Sequence, residues 1–135
     1  MTKTTKGVNM TTTTISATAL YEELKAASFK GLADAATPTP MHVTDGTNNW
    51  SIPQGICGNA VVMLKSARTK IAQDLKKAGF AEPWYGKSGL SLKTYSFMGF
   101  AGGGQSLAYN EAIAQAMVDH LESLGIEAYV HSWVD

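Results

Sequence analysis

Cysteine is nearly absent from this chain, with Cys57 its sole representative. A single thiol excludes an intramolecular disulfide framework and a cysteine-cluster zinc site, and it fits a reducing cytoplasm. Proline is scarce too, and two of the four prolines sit together in Thr37-Pro38-Thr39-Pro40. Apolar runs such as Ala60 to Leu64 fall far short of the roughly 20 residues that span a bilayer. Neither charge sign is in excess, because 11 basic and 11 acidic side chains cancel and are interspersed. That leaves no electrostatic footprint for nucleic acid or anionic lipid, so neither a nucleic acid nor a membrane is expected as partner.

What the chain does have is core material. Apolar residues make up 44% of its 135 positions and charged residues 16%, which is the profile of a folded chain rather than a disordered one. The length accommodates one domain. Residues 1–16 are polar and aperiodic, with seven threonines in the first fourteen positions and no apolar segment of a secretory signal. They read as a disordered leader, because nothing in them offsets the entropy of ordering. Met10 is a second candidate start, and residues 17–135 form the expected single α/β domain.

Apolar periodicity lays out the elements. Leu20, Tyr21, Leu24, Ala27 and Ser28 recur at helical spacing, with Thr18 as the expected cap and Gly31 as the expected stop. The Thr-Pro repeat is a stiff extended connector, since each proline fixes φ and turns its predecessor away from helix. Met41 to Thr44 and Thr47 to Ile52 flank Asp45-Gly46, a pair that predicts a type I′ hairpin. Asn59 to Lys65 is apolar on both faces, as a central strand is. Ser66 is the expected cap of a helix with Ala67, Ile71, Leu75 and Ala78 buried, ended by Gly79-Phe80 in a Schellman arrangement.

A short strand at Ala81 to Tyr85 and a longer one at Leu90 to Met98 follow, the latter with a change of phase at Tyr95 and Phe97 that predicts a bulge. Ser106 caps a helix carrying Tyr109, Ile113, Met117, Leu121 and Leu124, closed by Gly125. Glu127 to Val134 is the last strand. The fold class is therefore α/β (α+β), and the order from Asn59 onward predicts a ferredoxin-like βαββαβ core with an N-terminal helix and β-hairpin extension. Without the strand at Ala81, the same residues would read as two βαβ units in a mostly parallel sheet.

Chemistry-bearing residues are few. Gly103, Gly104, Gln105 and Ser106 lie between a strand and a helix start, where free amides and the helix dipole hold anions. They lack the Lys-Ser/Thr ending of a P-loop. Tyr85 and His131 are the further candidates for such a ligand site. Cys57 and His131 are the pair a thiol nucleophile would use, but no catalytic signature flanks them and a lone cysteine reads as a small buried hydrophobe. His42, His120 and His131 are isolated, and Asp119 with Glu122 reads as a solvated helix face. No catalytic residue, metal site or cofactor is expected. Trp50, Tyr129 and Trp133 are candidate interface residues, since aromatic side chains dominate binding hot spots. Tyr129, His131 and Trp133 share one face of the last strand, which is expected to be covered by helices as core packing, with an exposed patch as the alternative.

Gly55-Ile56-Cys57-Gly58 before an apolar strand, Tyr85-Gly86, Gln105-Ser106 at the head of an Ala-rich helix, and Ala128-Tyr129 near Ser132 and Asp135 together resemble a further group. Over residues 55–135 the chain is similar to small accessory proteins of tailed bacteriophages. It departs from them at Trp133, where an arginine is expected. That resemblance implies no activity, but it implies a host protein as partner and the host cytoplasm as location. Three readings follow: a non-enzymatic binding or inhibitor module acting on a host factor in anti-defence or host takeover; an oligomeric protein or enzyme that takes a nucleotide or phosphorylated small molecule at the glycine-rich helix start; and a minor virion component. The first is favoured by small size, the lack of a catalytic constellation and surplus aromatics.

Overall fold

A computed structural model describes residues 15–52, 55–84, 89–92 and 106–134. Helix α1 runs Ala17–Asp34, and Ser16 rather than Thr18 caps it, accepting the Ala19 amide at 3.1 Å. Ile15 before the cap and Leu20 in the fourth helical position have the placement of a hydrophobic staple, and Ile15 packs against the core. Leu20, Leu24, Ser28 and Gly31 are buried along one stripe. Strands β1 (Met41–Thr44) and β2 (Asn49–Ile52) form a separate two-stranded sheet. Then come β3 (Gly58–Leu64), α2 (Lys70–Lys77), β4 (Ala81–Pro83), β5 (Leu90–Leu92), α3 (Leu107–Ser123) and β6 (Ala128–Val134).

Among the described residues the architecture is a mixed α/β fold of three helices and two antiparallel sheets. The larger sheet has the order β4-β5-β3-β6 with every neighbouring pair antiparallel. A strand does form at Ala81, so the mostly parallel alternative is excluded. β3 lies between β5 and β6 and is buried at every position but Asn59, as its two-faced apolar pattern requires. Ala60, Val62 and Leu64 join Ala81, Leu90, Leu92 and Ala128 beneath the buried stripes of all three helices. Val61 and Met63, on the opposite face, are buried as well.

Helix ends explain where sequence and structure part. Ser66 does not cap α2; its hydroxyl accepts the Arg68 amide at 3.1 Å, and Thr69 caps the helix instead, accepting from Ala72 at 3.2 Å. α2 is thereby one short segment with Ile71, Ala72 and Leu75 buried, while Ala78 is exposed. Gly79 and Gly125 close α2 and α3 as expected. Each has φ near +80°, and the paired bonds from Gly79 to Lys76 and Phe80 to Leu75 recur as Gly125 to Glu122 and Ile126 to Leu121, the Schellman pattern. Of the strand expected at Leu90 to Met98, residues 93–98 with the bulge lie outside the described residues, as does the leader through residue 14.

Gly31 does not stop α1. It lies inside the helix at the crossing with α3, where an added Cβ would come within 2.7 Å of Ala116 Cβ and 3.0 Å of the Ala112 carbonyl oxygen. Glycine is required there for close approach of the two helices, not for a turn. Close packing of this kind leaves no space for a branched side chain. Gly31→Val is expected to cost about 2–3 kcal/mol by overpacking, read as a lowered urea midpoint; an unchanged midpoint would contradict the close crossing.

Candidate functional site

Two surfaces carry the candidate residues. The first is the β1–β2 hairpin. Its loop has four residues, Asp45-Gly46-Thr47-Asn48, because Thr44 pairs with Asn49; the two-residue type I′ turn is not formed. Side-chain capture decides this. Asp45 Oδ1 accepts the amides of Thr47 at 2.9 Å and Asn48 at 2.7 Å, and Thr44 Oγ1 accepts from Gly46 while donating to the Asn48 carbonyl. Such a side-chain-built loop competes with a tight primed turn. The register moves by two residues, an even number, so the same side chains stay on the same faces.

One hairpin face therefore carries Met41, Val43, Trp50 and Ile52, and the other His42, Thr44, Asn49 and Ser51. The polar face is exposed throughout, and Trp50 on the apolar face is 47% exposed. Met41, Val43 and Ile52 beside it are half-buried, and none of the four belongs to the described core or to the side chains packed against it. The hairpin is held at its base, where Pro38 is buried and an added Cβ on Gly55 would come within 2.8 Å of the Thr39 carbonyl oxygen. A two-stranded hairpin with no layer against it is marginal in water. Its apolar face thus lies outside the described core.

The second surface is the face of the larger sheet opposite the helices. β6 register places Tyr129, His131 and Trp133 opposite Met63, Val61 and Asn59, while the helices pack on the Ala60, Val62 and Ala128 side. The helices consequently do not cover the aromatic face of β6. His131 and Trp133 are half-buried, with ring centroids 5.7 Å apart, and Trp84 lies 6.2 and 5.9 Å from them. Tyr129 stays 37% exposed.

No protein-family model, curated protein or solved structure matches the chain. The geometry alone therefore bears on function. Gly103, Gly104, Gln105 and Tyr85 lie outside the described residues. Ser106, their neighbour, is buried and caps α3, its hydroxyl accepting the Tyr109 amide at 3.3 Å. The Leu107 amide donates to the Ile56 carbonyl at 3.1 Å, and Asn110 Nδ2 to the Gly58 carbonyl at 3.1 Å. Two of the amides in the first turn of α3 are thus already used by the protein.

Cys57 bridges to Ser106 through the backbone. His131 stands level with Val61, four residues up β3 from Cys57 and so about 13 Å away along the strand. A thiol–imidazole dyad needs hydrogen-bond reach, so the two do not form one. Among the described residues no group of three or more His, Cys, Asp or Glu is placed to hold a metal. His120 has a partner that sequence reading missed, Glu23 of α1 at 2.6 Å, because the contact joins residues far apart in the chain. Also unforeseen is a cleft of about 260 Å³ at the end of β3, lined by Leu64, Ser66, Thr69, Ile71, Ile126 and Glu127. It joins the α2 cap to the turn after α3, which no local pattern signals.

Amide donors from Asn48 and Thr47 favour the charged Asp45 carboxylate and hold its pKa below the usual 3.8. A lowered carboxylate pKa means that the loop bonds are complete above the ordinary aspartate range and fade as pH falls through the lowered value. The Thr47 and Asn48 amide shifts in NMR are expected to follow that single titration, and Asp45→Ala to abolish it. A midpoint above 3.8 would contradict the capture.

Proposed function

We propose that the chain is a non-enzymatic binding module that engages another protein through the apolar face of its hairpin. The observation that carries this reading is the row Met41, Val43, Trp50 and Ile52, presented on a separate two-stranded sheet that is no part of the described core and leaves Trp50 exposed. Burying such a row against a partner stabilises both the complex and the hairpin, and an exposed tryptophan at its centre has the character of a hot spot. On this reading, in which residues 55–135 resemble bacteriophage accessory proteins, the partner is a host protein and inhibition of a defence or regulatory factor the role. The phosphorylated-ligand reading draws less support, because the Leu107 and Tyr109 amides are already taken.

The fold reading behind this proposal is a ferredoxin-like βαββαβ core over residues 58–134. Its support is the strand order: β5 lies between β3 and β4, and β3 between β5 and β6. Each strand–helix–strand unit thus straddles one strand, which is a split βαβ arrangement. α1 and the hairpin are additions to that core.

Trp50 lies outside the core, so Trp50→Ser is expected to leave the thermal midpoint nearly unchanged and remove binding. In a pull-down from bacterial lysate, the full chain should retain one stoichiometric protein that Trp50→Ser loses. Retention of the same protein by both would place the contact elsewhere, and recovery of none would contradict the proposal.

A further inference from the structure

The two edges of the larger sheet are built differently. β4 is three residues long and carries the exposed Glu82 and Pro83, a short, charged, proline-bearing edge of the kind that blocks strand addition. β6, at the other edge, is seven residues long. Its sequence, Ala-Tyr-Val-His-Ser-Trp-Val, has no lysine, arginine, carboxylate or proline. It pairs with β3 from Gly58↔Val134 to Leu64↔Ala128 without a bulge. Among the described residues no strand pairs with its outer side, and none of them takes up its outward row of backbone donors and acceptors. Length, neutrality and regularity are together what natural edges avoid unless they are used.

We propose that β6 is a homodimerisation edge, pairing antiparallel with β6 of a second copy about a two-fold axis midway between the His131 residues of the two copies. Symmetry and strand parity select this register. A two-fold perpendicular to the sheet makes the added pair antiparallel and isologous, and directly opposed residues must share a face. The axis therefore falls midway between two copies of one residue, and only His131 lets all seven positions overlap. Tyr129 then opposes Trp133 of the other copy on the aromatic face, twice over, and Ala128 opposes Val134, which is 61% exposed. Aromatic cross-strand pairs are favourable, and they would join the Trp84, His131 and Trp133 cluster of each copy into one stripe.

A second copy is the occupant that the charge balance fits. The strand is neutral and the whole chain has net charge +0, so two copies do not repel, whereas nothing on the edge selects a charged partner. Glu111 is drawn to the helix side, where Ser132 Oγ donates to it at 2.7 Å. One seven-residue edge lies at the small end of stable interfaces, with roughly 1,200 Å² buried in total. The dimer is accordingly concentration-dependent.

Sedimentation equilibrium of the full chain over a wide concentration range tests this. A monomer–dimer equilibrium is expected. His131→Lys sets two ammonium groups face to face and should weaken the dimer at least about tenfold. Should that variant not fold, Tyr129→Ser, at a side chain already partly exposed, removes both aromatic pairs and should weaken the dimer in the same direction. A monomer up to about 1 mM, a dimer indifferent to the folded variants, or a dimer lost with Trp50→Ser instead overturns the proposal. The hairpin is untouched by changes at residues 129 and 131, so its partner binding fails or survives separately.

Discussion

Everything described here depends on β3 being flanked on both edges and covered on both faces. Its backbone is paired with β6 along all seven residues and, among the described residues, with β5 at Met63 and Leu64, and only Asn59 of the strand is exposed. A strand in that position has no polar face to offer, which is why Gly58-Asn59-Ala60-Val61-Val62-Met63-Leu64 reads as a nearly unbroken apolar run. Parity then propagates outward. Even-numbered residues of β3 meet Leu90, Leu92 and Ala128 under the helices, and the odd-numbered ones fix Tyr129, His131 and Trp133 on the far side. α1 reaches this core only by lying close over α3 at Gly31, where any side chain would hold the helices apart.

That economy of burial leaves apolar surface elsewhere. The hairpin is tied at Pro38 and Gly55 but forms a sheet of its own outside the described core, and β6 ends the sheet without the charge or proline that β4 carries. A chain with so few charges could blunt both places by single substitutions. Both places are apolar and lightly charged, which is the common physical ground of the proposed partner surface and the proposed dimer edge. The features associated with ligands contribute less, since the start of α3 spends its amides on Ile56 and Ser106.

Periodicity made the element order legible, because helix and strand patterns depend on neighbours within one or two turns. The stripes of α1 and α3, the glycine endings at Gly79 and Gly125 and the central role of β3 all follow from such local rules. Competition between equivalent hydroxyls was not legible: Ser16 and Thr69 win over Thr18 and Ser66 because tertiary packing sets where each helix begins. Gly31 was misread for the same reason, as its role is set by Ala112 and Ala116, some eighty residues away. The loop at Asp45 shows a local rule overruled by another local rule, side-chain capture over turn propensity. Of the candidate site, Trp50, Tyr129, His131 and Trp133 were identified as residues, but their separation onto a hairpin face and a sheet face required the register.

The central claim is that a rigid sheet built on β3 carries an energetically separate hairpin. Residue-resolved amide hydrogen exchange on the full chain under native conditions measures it directly. Amides of Ala60 to Met63 should exchange only through global unfolding, and those of the β1–β2 pairs about 100-fold faster or more, through local opening. Hairpin amides as slow as those of β3 in the isolated chain would contradict the account.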